Sequence, residues 1–362
     1  MRKKIIVVCP NPEGFAPGQR LKYEQYFDNW RQNGYDITVK PFVSNAFQKV
    51  VYKKGHYFLK FRYTLLGYLK RVKLLLYIKE YDIAYIFLWV TPFGFPLFEM
   101  LYCKLANYII YDIDDLVYTT NKNAPWYSKL LKTKYKPIYL MKKAGHVITC
   151  TPYLDQFVRR FNNNTTDISS TVDTSEKYVC VNSYTNDNPL VIGWSGSHST
   201  VQYFMIIKNV LLAIQKKYPS IIIRVMGGSN IEIADLRVES TEWSEEKEIA
   251  TLQSFDIGIY PLPDEQWVYG KSGLKAIQYM ALGIPTIATA IGTNFRVIEN
   301  EISGYLVNSE EEWIEKLTML IENPQLKRKI RMAGRLKVEE CFSVSENQHK
   351  YLDGFNSLLK AN

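Results

Sequence analysis

Lys271 and Lys275 lie four residues apart in GKSGLKAIQYMALGIP, near the start of an apolar helical stretch, with Gln278 three positions further on the same face. Lysine at a helix start opposes the helix dipole, an arrangement that makes sense where an anion also sits. A second segment, VIGWSGSHST, ends a β-branched run at Trp194. It turns through Ser195, Gly196, Ser197, His198 and Ser199 into a helix that Ser199 or Thr200 can cap. A strand, small-residue turn and helix in this order aim free backbone N–H groups at one point, a seat for phosphate. The two segments together describe a clamp for a diphosphate; solvated lysines and a capped turn are the bland alternative. A third segment, YDIDDLVY, places Asp112, Asp114 and Asp115 at a strand end, with Asp112 and Asp114 on one side by alternation. Carboxylates there are catalytic candidates, able to bind a sugar hydroxyl or assist proton transfer. No further ligand motif joins them, so no metal is expected. Pairing with nearby lysines or helix capping is the alternative. In APGQRLKYEQYF, Gly18 allows close backbone approach and Arg20 can reach an acceptor or a phosphate. His198 and His349 can titrate, but no Ser-His-Asp arrangement is legible.

These residues need elements to carry them. Short β-branched runs alternate with helical stretches. Strands are expected at 4–9, 36–42, 83–90, 109–113 and 146–150, then at 190–194, 221–226, 256–260, 286–289 and 304–307. Helices are expected at 20–33, 61–77 and 127–143, then at 200–218, 247–253, 273–282, 310–322 and 325–340. Strands separated by helices imply parallel sheets. Two such sets, joined by a polar stretch at 182–188, predict an α/β chain of two Rossmann-like domains facing a cleft, with ligands beyond the carboxyl ends of the strands.

The 362 residues suit two domains, and 47% apolar content argues against disorder. Five cysteines with no C-x-x-C pair match no zinc or disulfide framework and read as reduced thiols. No secretory signal is legible at the start. The greasiest stretch, 83–98, is interrupted by Pro92, Gly94 and Pro96 and falls short of a membrane span. A cytoplasmic location is expected. The net charge of +9 is unevenly split: residues 1–180 hold 27 basic and 14 acidic side chains, whereas residues 181–362 carry an acidic excess. No acid interrupts the chain from Lys49 to Lys79 or from Leu116 to Leu154, and bases alternate there with large apolar groups. Such a surface suits an anionic leaflet, and Lys60, Arg62, Lys70, Arg71 and Lys73 are expected to face it. A solvated helix face is the alternative. No nucleic-acid-binding signature accompanies the charge, so nucleic acid is not an expected partner.

The segments above, with VMGG, STEWSEEKE, FDIGIYPLPD and ENEISGYLV, resemble in their order the GT-B glycosyltransferases of the large retaining group often called group 1 or family 4. The resemblance implies a first domain, 1–185, that faces acceptor and membrane. It implies a second, 186–344, that binds a nucleotide-sugar, and a helix at 345–362 crossing back to the first. It also implies sugar transfer with retention of anomeric configuration and without an obligatory metal or other cofactor. The expected acceptor is a lipid-linked or cell-envelope glycan, such as lipopolysaccharide or capsule, with the enzyme peripheral on the cytoplasmic face. Ser195, Gly196, Ser197, His198, Lys271, Lys275 and Gln278 would bind the donor, Gln278 as a ribose partner. The pattern departs at the paired glutamates, where Gly270 and Gln278 stand instead. The resemblance then leaves Lys271 and Lys275 to neutralise the diphosphate. A non-catalytic nucleotide-sugar-binding or scaffold subunit is the alternative that the departure raises.

Overall fold

The structure, a computed structural model, describes residues 2–51, 53–118, 134–180, 189–197, 200–227 and 233–360. Contacts divide the chain into two compact units, 1–170 with 347–362, and 171–346. The division falls earlier than the expected 185/186 boundary. Residues 172–178 belong to the second unit because Val172 pairs with Phe342 and Ser343, and Arg335 donates to the carbonyls of Thr174 and Tyr178.

The first unit holds β1 (Lys3–Cys9), β2 (Tyr35–Pro41), β3 (Ile83–Phe87), β4 (Tyr108–Asp112), β5 (His146–Thr149) and β6 (Thr165–Asp167). They form one parallel sheet in the order β2-β1-β3-β4-β5-β6. Continuous apolar runs such as IIVVC in β1 are buried throughout, as a strand covered on both faces requires. The second unit holds β7 (Val191–Ser195), β8 (Ile222–Met226), β9 (Val238–Thr241), β10 (Ile257–Tyr260), β11 (Thr286–Thr289) and β12 (Tyr305–Val307). Its parallel order, β12-β11-β10-β7-β8-β9, is the doubly wound one, and chain direction across the sheet reverses between β7 and β10. Ten of these strands lie within a few residues of the expected positions. β6 and β9 carry few large apolar residues, and their sheet-edge places come from tertiary pairing alone.

The helical expectations fare less evenly. The single helix expected at 20–33 is broken into Pro17–Arg20, a 3-10 turn Glu24–Tyr26, and Phe27–Gln32. The helices Leu97–Leu105 and Pro152–Val158 were not foreseen. Leu97–Leu105 follows directly on Pro96, beyond the strand expected at 83–90. The expectation at 127–143 is met by Tyr135–Lys143, and residues 119–133 lie outside the described ones. The last helix, Val344–Lys360, returns the chain to the first unit at Asn347. There Tyr351 and Phe355 pack their rings on Trp30 at 5.3 and 4.8 Å.

Candidate functional site

In doubly wound sheets, ligands bind outside the carboxyl ends of the strands where their order reverses. In the second unit that point lies between Ser195, ending β7, and Tyr260, ending β10. Lys275 lies there. Its Nζ sits 4.6 Å from the centroid of the Trp194 ring and 5.6 Å from that of Tyr260. Among the described residues no carboxylate or hydrogen-bond acceptor partners this ammonium. Burial, and secondarily the nearby Lys271, push its pKa down to about 7. Lys271 itself lies 5.7 Å from the ring centroid of Trp267. The two lysines and the turn after Trp194 are thus brought together.

Lys275 is set by the helix Leu274–Ala281, whose N-cap is Gly273. A glycine offers no side chain to the leading N–H groups, and the first turn carries no acidic residue. The helix end is therefore positive, and its own first turn supplies no carboxylate. The helix closes at Gly283, where the left-handed conformation (φ 69°) lets the Ile284 N–H bond the Tyr279 carbonyl at 2.9 Å.

The turn after β7 departs from expectation. Its three described backbone N–H groups are not free for phosphate: Ser195 donates to the Tyr279 hydroxyl at 2.7 Å, Gly196 to the Met226 carbonyl at 2.9 Å, and Ser197 to Thr200 Oγ1 at 2.9 Å. Ser195 Oγ also shares a 2.8 Å hydrogen bond with Tyr279. Thr200 does not cap the helix Val201–Phe204; its hydroxyl turns back to Ser197. His198 and Ser199 lie outside the described residues. A cavity of about 520 Å³ borders Pro219, Ile222, Arg237 and Val238, at the opposite ends of β8 and β9 from these groups.

Gln278 is buried. Its amide nitrogen donates to the Tyr178 hydroxyl at 2.8 Å and to Glu248 Oε1 at 3.2 Å. That donor is spent within the unit, so a ribose would find only the amide oxygen. The sequence reading missed Tyr178 and Glu248; the STEWSEEKE segment pointed to the neighbourhood without singling out either.

The first unit separates the three aspartates. Asp112, the last residue of β4, is 0% exposed. Its carboxylate pairs with Lys22 Nζ at 3.0 Å and accepts a hydrogen bond from the Tyr85 hydroxyl. Lys22 also donates to the carbonyls of Thr149 and Ile168. Burial, opposed by Lys22, raises the Asp112 pKa to about 6. Burial works against the Lys22 charge, and Asp112 carries its pKa upward in net. Asp112 is thereby corrected from a catalytic candidate to half of a buried ion pair. Asp114 and Asp115 follow the strand and are half-buried, Asp115 in the left-handed region (φ 61°). Asp114 borders Gly18, where a Cβ would meet its Oδ2 at 3.4 Å. Gly18 is held by the network around Gln19, which accepts from the Asn11 N–H and donates to Glu24 at 2.9 Å each. Arg20 is buried in this wall near Glu24 instead of presenting a free guanidinium to solvent. His349 sits on the Val344–Lys360 helix.

One of the five cations expected to face a membrane, Arg71, is corrected. Arg71 is 1% exposed and donates to the carbonyls of Cys9, Lys40 and Val90 at 2.8–2.9 Å, joining the carboxyl ends of β1 and β2 to the loop after β3. Lys60 is half-buried and donates to the Lys53 carbonyl. Arg62, Lys70 and Lys73 are exposed. No described helix is long and apolar enough to cross a membrane. Among the described residues, no group of three or more His, Cys, Asp or Glu is gathered as metal ligands.

Residues 189–323 match the family model described as glycosyl transferases group 1. A curated relative, trehalose synthase of Pyrococcus horikoshii, is 30% identical over 87 residues, 24% of this chain. The match spans about a fifth (21%) of that relative's length. Among solved structures, sucrose-phosphate synthase from Thermosynechococcus elongatus superposes with a TM-score of 0.73 at 16% identity, covering 100% of both chains. HepE of Anabaena, solved with UDP and glucose, superposes with a TM-score of 0.68 at 12% identity, covering 98% of this chain and 100% of its own. Two six-stranded parallel sheets in these orders, with full-length likeness to those structures, give the chain the GT-B fold.

Proposed function

We propose that the chain is a glycosyltransferase that takes a sugar from a nucleotide-sugar donor and passes it, with retention of anomeric configuration, to a lipid-linked or cell-envelope glycan at an anionic membrane surface. The observation that carries the reading is Lys275, a half-buried residue whose ammonium sits over two aromatic rings with no acceptor among the described residues, at the strand-order reversal of the unit that matches glycosyl transferases group 1. A diphosphate leaving group gains charge as the glycosidic bond breaks. Cations and an uncapped helix end in a site of low polarity stabilise that charge more than water does. Lys271, Lys275 and the N–H groups leading the Leu274–Ala281 helix are the groups assigned to it. The HepE structures with UDP and UDP-glucose support the ligand class. In a same-face substitution the departing phosphate accepts the proton of the incoming hydroxyl, so no strong side-chain base is required. Asp114 and Asp115 are assigned to orienting the acceptor. The residues assigned to the donor supply charge neutralisation without a metal ion.

The test is a thermal-shift screen against nucleoside diphosphates and their sugars, because a ligand that prefers the native state raises the melting point. A shift with one nucleoside diphosphate, lost in Lys275→Ala, is the expected result; the absence of any shift would overturn the donor site. A second reading, a non-catalytic nucleotide-sugar-binding subunit, is favoured by Gly270, which has no side chain to offer, and by the spent amide of Gln278. Slow donor hydrolysis that Lys271→Ala abolishes supports the enzyme. Binding without turnover, even with membranes and glycan acceptors supplied, supports the second reading.

A further inference from the structure

The helix Tyr57–Leu75 buries only one side, through Gly67, Arg71 and Leu74. Opposite them Phe58, Phe61, Leu65, Leu69, Val72 and Leu76 recur at helical spacing, and all six are exposed, Phe58, Phe61 and Leu76 by 77%, 68% and 85%. At 3.6 residues per turn they fall within about 80° of arc and run for about 27 Å. Arg62 and Lys73 border one edge of this stripe, with Lys70 beyond them. Tyr68 borders the other edge and ties in the loop after β3: its hydroxyl donates to the Phe93 carbonyl at 2.9 Å and accepts from the Phe93 N–H at 3.3 Å. The buried Lys136 fixes the same loop, donating to the carbonyls of Thr91 and Phe93 at 2.9 and 2.8 Å. That loop and the helix start after it present Phe95 and Leu97, 77% and 59% exposed. In the second unit, exposed large apolar side chains such as Trp243, Phe295 and Met332 are scattered over separate elements.

We infer that this face of the first unit lies flat in the boundary between headgroups and acyl chains of an anionic bilayer. The six-residue stripe is inserted, Arg62, Lys70 and Lys73 lie among the headgroups, and Phe95 and Leu97 form a second point of entry. Charge selects this occupant. The chain carries no acid from Lys49 to Lys79, so a two-fold contact between copies would bring two basic edges together with no carboxylate to answer them. Anionic headgroups beside an apolar interior answer both the basic edge and the stripe. The inference deepens the membrane part of the proposed function and rests on that reading for its purpose, while its geometry stands on the first unit alone.

The test uses the full chain, sedimented with vesicles of phosphatidylcholine and phosphatidylglycerol, or of phosphatidylcholine alone. The wild type is expected to bind the mixed vesicles and to bind phosphatidylcholine weakly. The triple change Phe61→Ser, Leu65→Ser and Leu69→Ser is expected to lower partitioning by about tenfold or more. It should leave the melting point and the shift produced by UDP unchanged. Arg62→Gln with Lys70→Gln and Lys73→Gln should lower binding to the mixed vesicles severalfold and leave phosphatidylcholine binding as it is. No binding by the wild type, or equal binding by the serine variant, would overturn the inference. A wild-type dimer that the serine variant turns into a monomer would overturn it in favour of a second copy. Vesicle binding with no UDP shift would strike the donor-site reading and leave this one standing; the converse would do the reverse.

Discussion

An ammonium held over two aromatic faces with no acceptor is stabilised by an anion or by loss of its proton. Lys275 is in that position, and its titration gives the donor-site reading a sign. In the folded chain its pKa is about 7, against 10.5 ordinarily. Between those values the unfolded chain holds a proton that the folded chain has released, so the contribution of Lys275 to stability rises with pH across that window. Lys275→Met is therefore expected to melt above the wild type at about pH 6, with the difference closing towards about pH 10. Ligand binding runs the other way. A nucleoside diphosphate needs the charged lysine, so its affinity should fall as pH rises past 7. In Lys275→Met that affinity should be lower by about ten- to a hundredfold, the scale of a charge-assisted contact, and should lose this pH dependence. Calorimetric titration with UDP at several pH values checks both; a pH-independent wild-type affinity would remove Lys275 from the site.

At the scale of elements, two close approaches hold the carboxyl ends of the strands in place. In the first unit Arg71 reaches the carbonyls of Cys9, Lys40 and Val90 from the Tyr57–Leu75 helix. A lysine ammonium is a compact point donor and cannot reproduce the flat spread of the guanidinium fork across these three carbonyls. Arg71→Lys is expected to cost about 2 kcal/mol and Arg71→Ala about 3 kcal/mol, since buried carbonyls are left without donors. Urea unfolding measures this, and an Arg71→Ala chain as stable as the wild type would contradict it. In the second unit Gly227, with φ of 100°, lies against the turn after β7, where a Cβ would meet the Gly196 carbonyl oxygen at 1.7 Å. Gly227→Ala must move that turn, which lies beside Trp194 and hence Lys275. It should lose the melting-point rise produced by UDP, while circular dichroism shows the sheet still formed. An undiminished rise would show that the turn does not set the site.

For the molecule as a whole, charge and apolar surface are sorted together. The first half of the chain carries a net charge of +13 and the second half −4. The long exposed apolar stripe lies on the basic half. Attraction between charges weakens as the Debye length shrinks from about 10 Å at 0.1 M salt to about 3 Å at 1 M. Insertion of apolar side chains does not weaken in this way. Partitioning onto phosphatidylglycerol-containing vesicles is therefore expected to fall steeply with added salt to a residual level. That residue should vanish in the Phe61→Ser, Leu65→Ser, Leu69→Ser chain. Sedimentation across a salt series reads both parts, and a partition unmoved by salt would remove the electrostatic half of the account.

Ten of the twelve strands among the described residues, and the two-sheet plan, were legible in the sequence, because buried parallel strands are written as short apolar runs such as IIVVC and VIGW. The pairing of Lys271 and Lys275 was legible from spacing, and the closing of their helix from Gly283. Other assignments could not be read there. Arg71 and Lys73 are near neighbours of one chemical kind, and only the packing of the helix against the sheet sends one inward and the other to solvent. Asp112 and Asp114 share a side by alternation, yet the strand ends at Asp112 and its carboxylate meets Lys22, 90 positions away. The N–H groups of Ser195 and Gly196 read as free in the sequence because their partners, Tyr279 and Met226, come from other elements of the fold. Local pattern determines which segments become strands and helices, since each backbone group must find a partner nearby or in a neighbouring strand. Which side chains are left without one, as Lys275 is, depends on groups distant in the chain, and only the tertiary structure decides that.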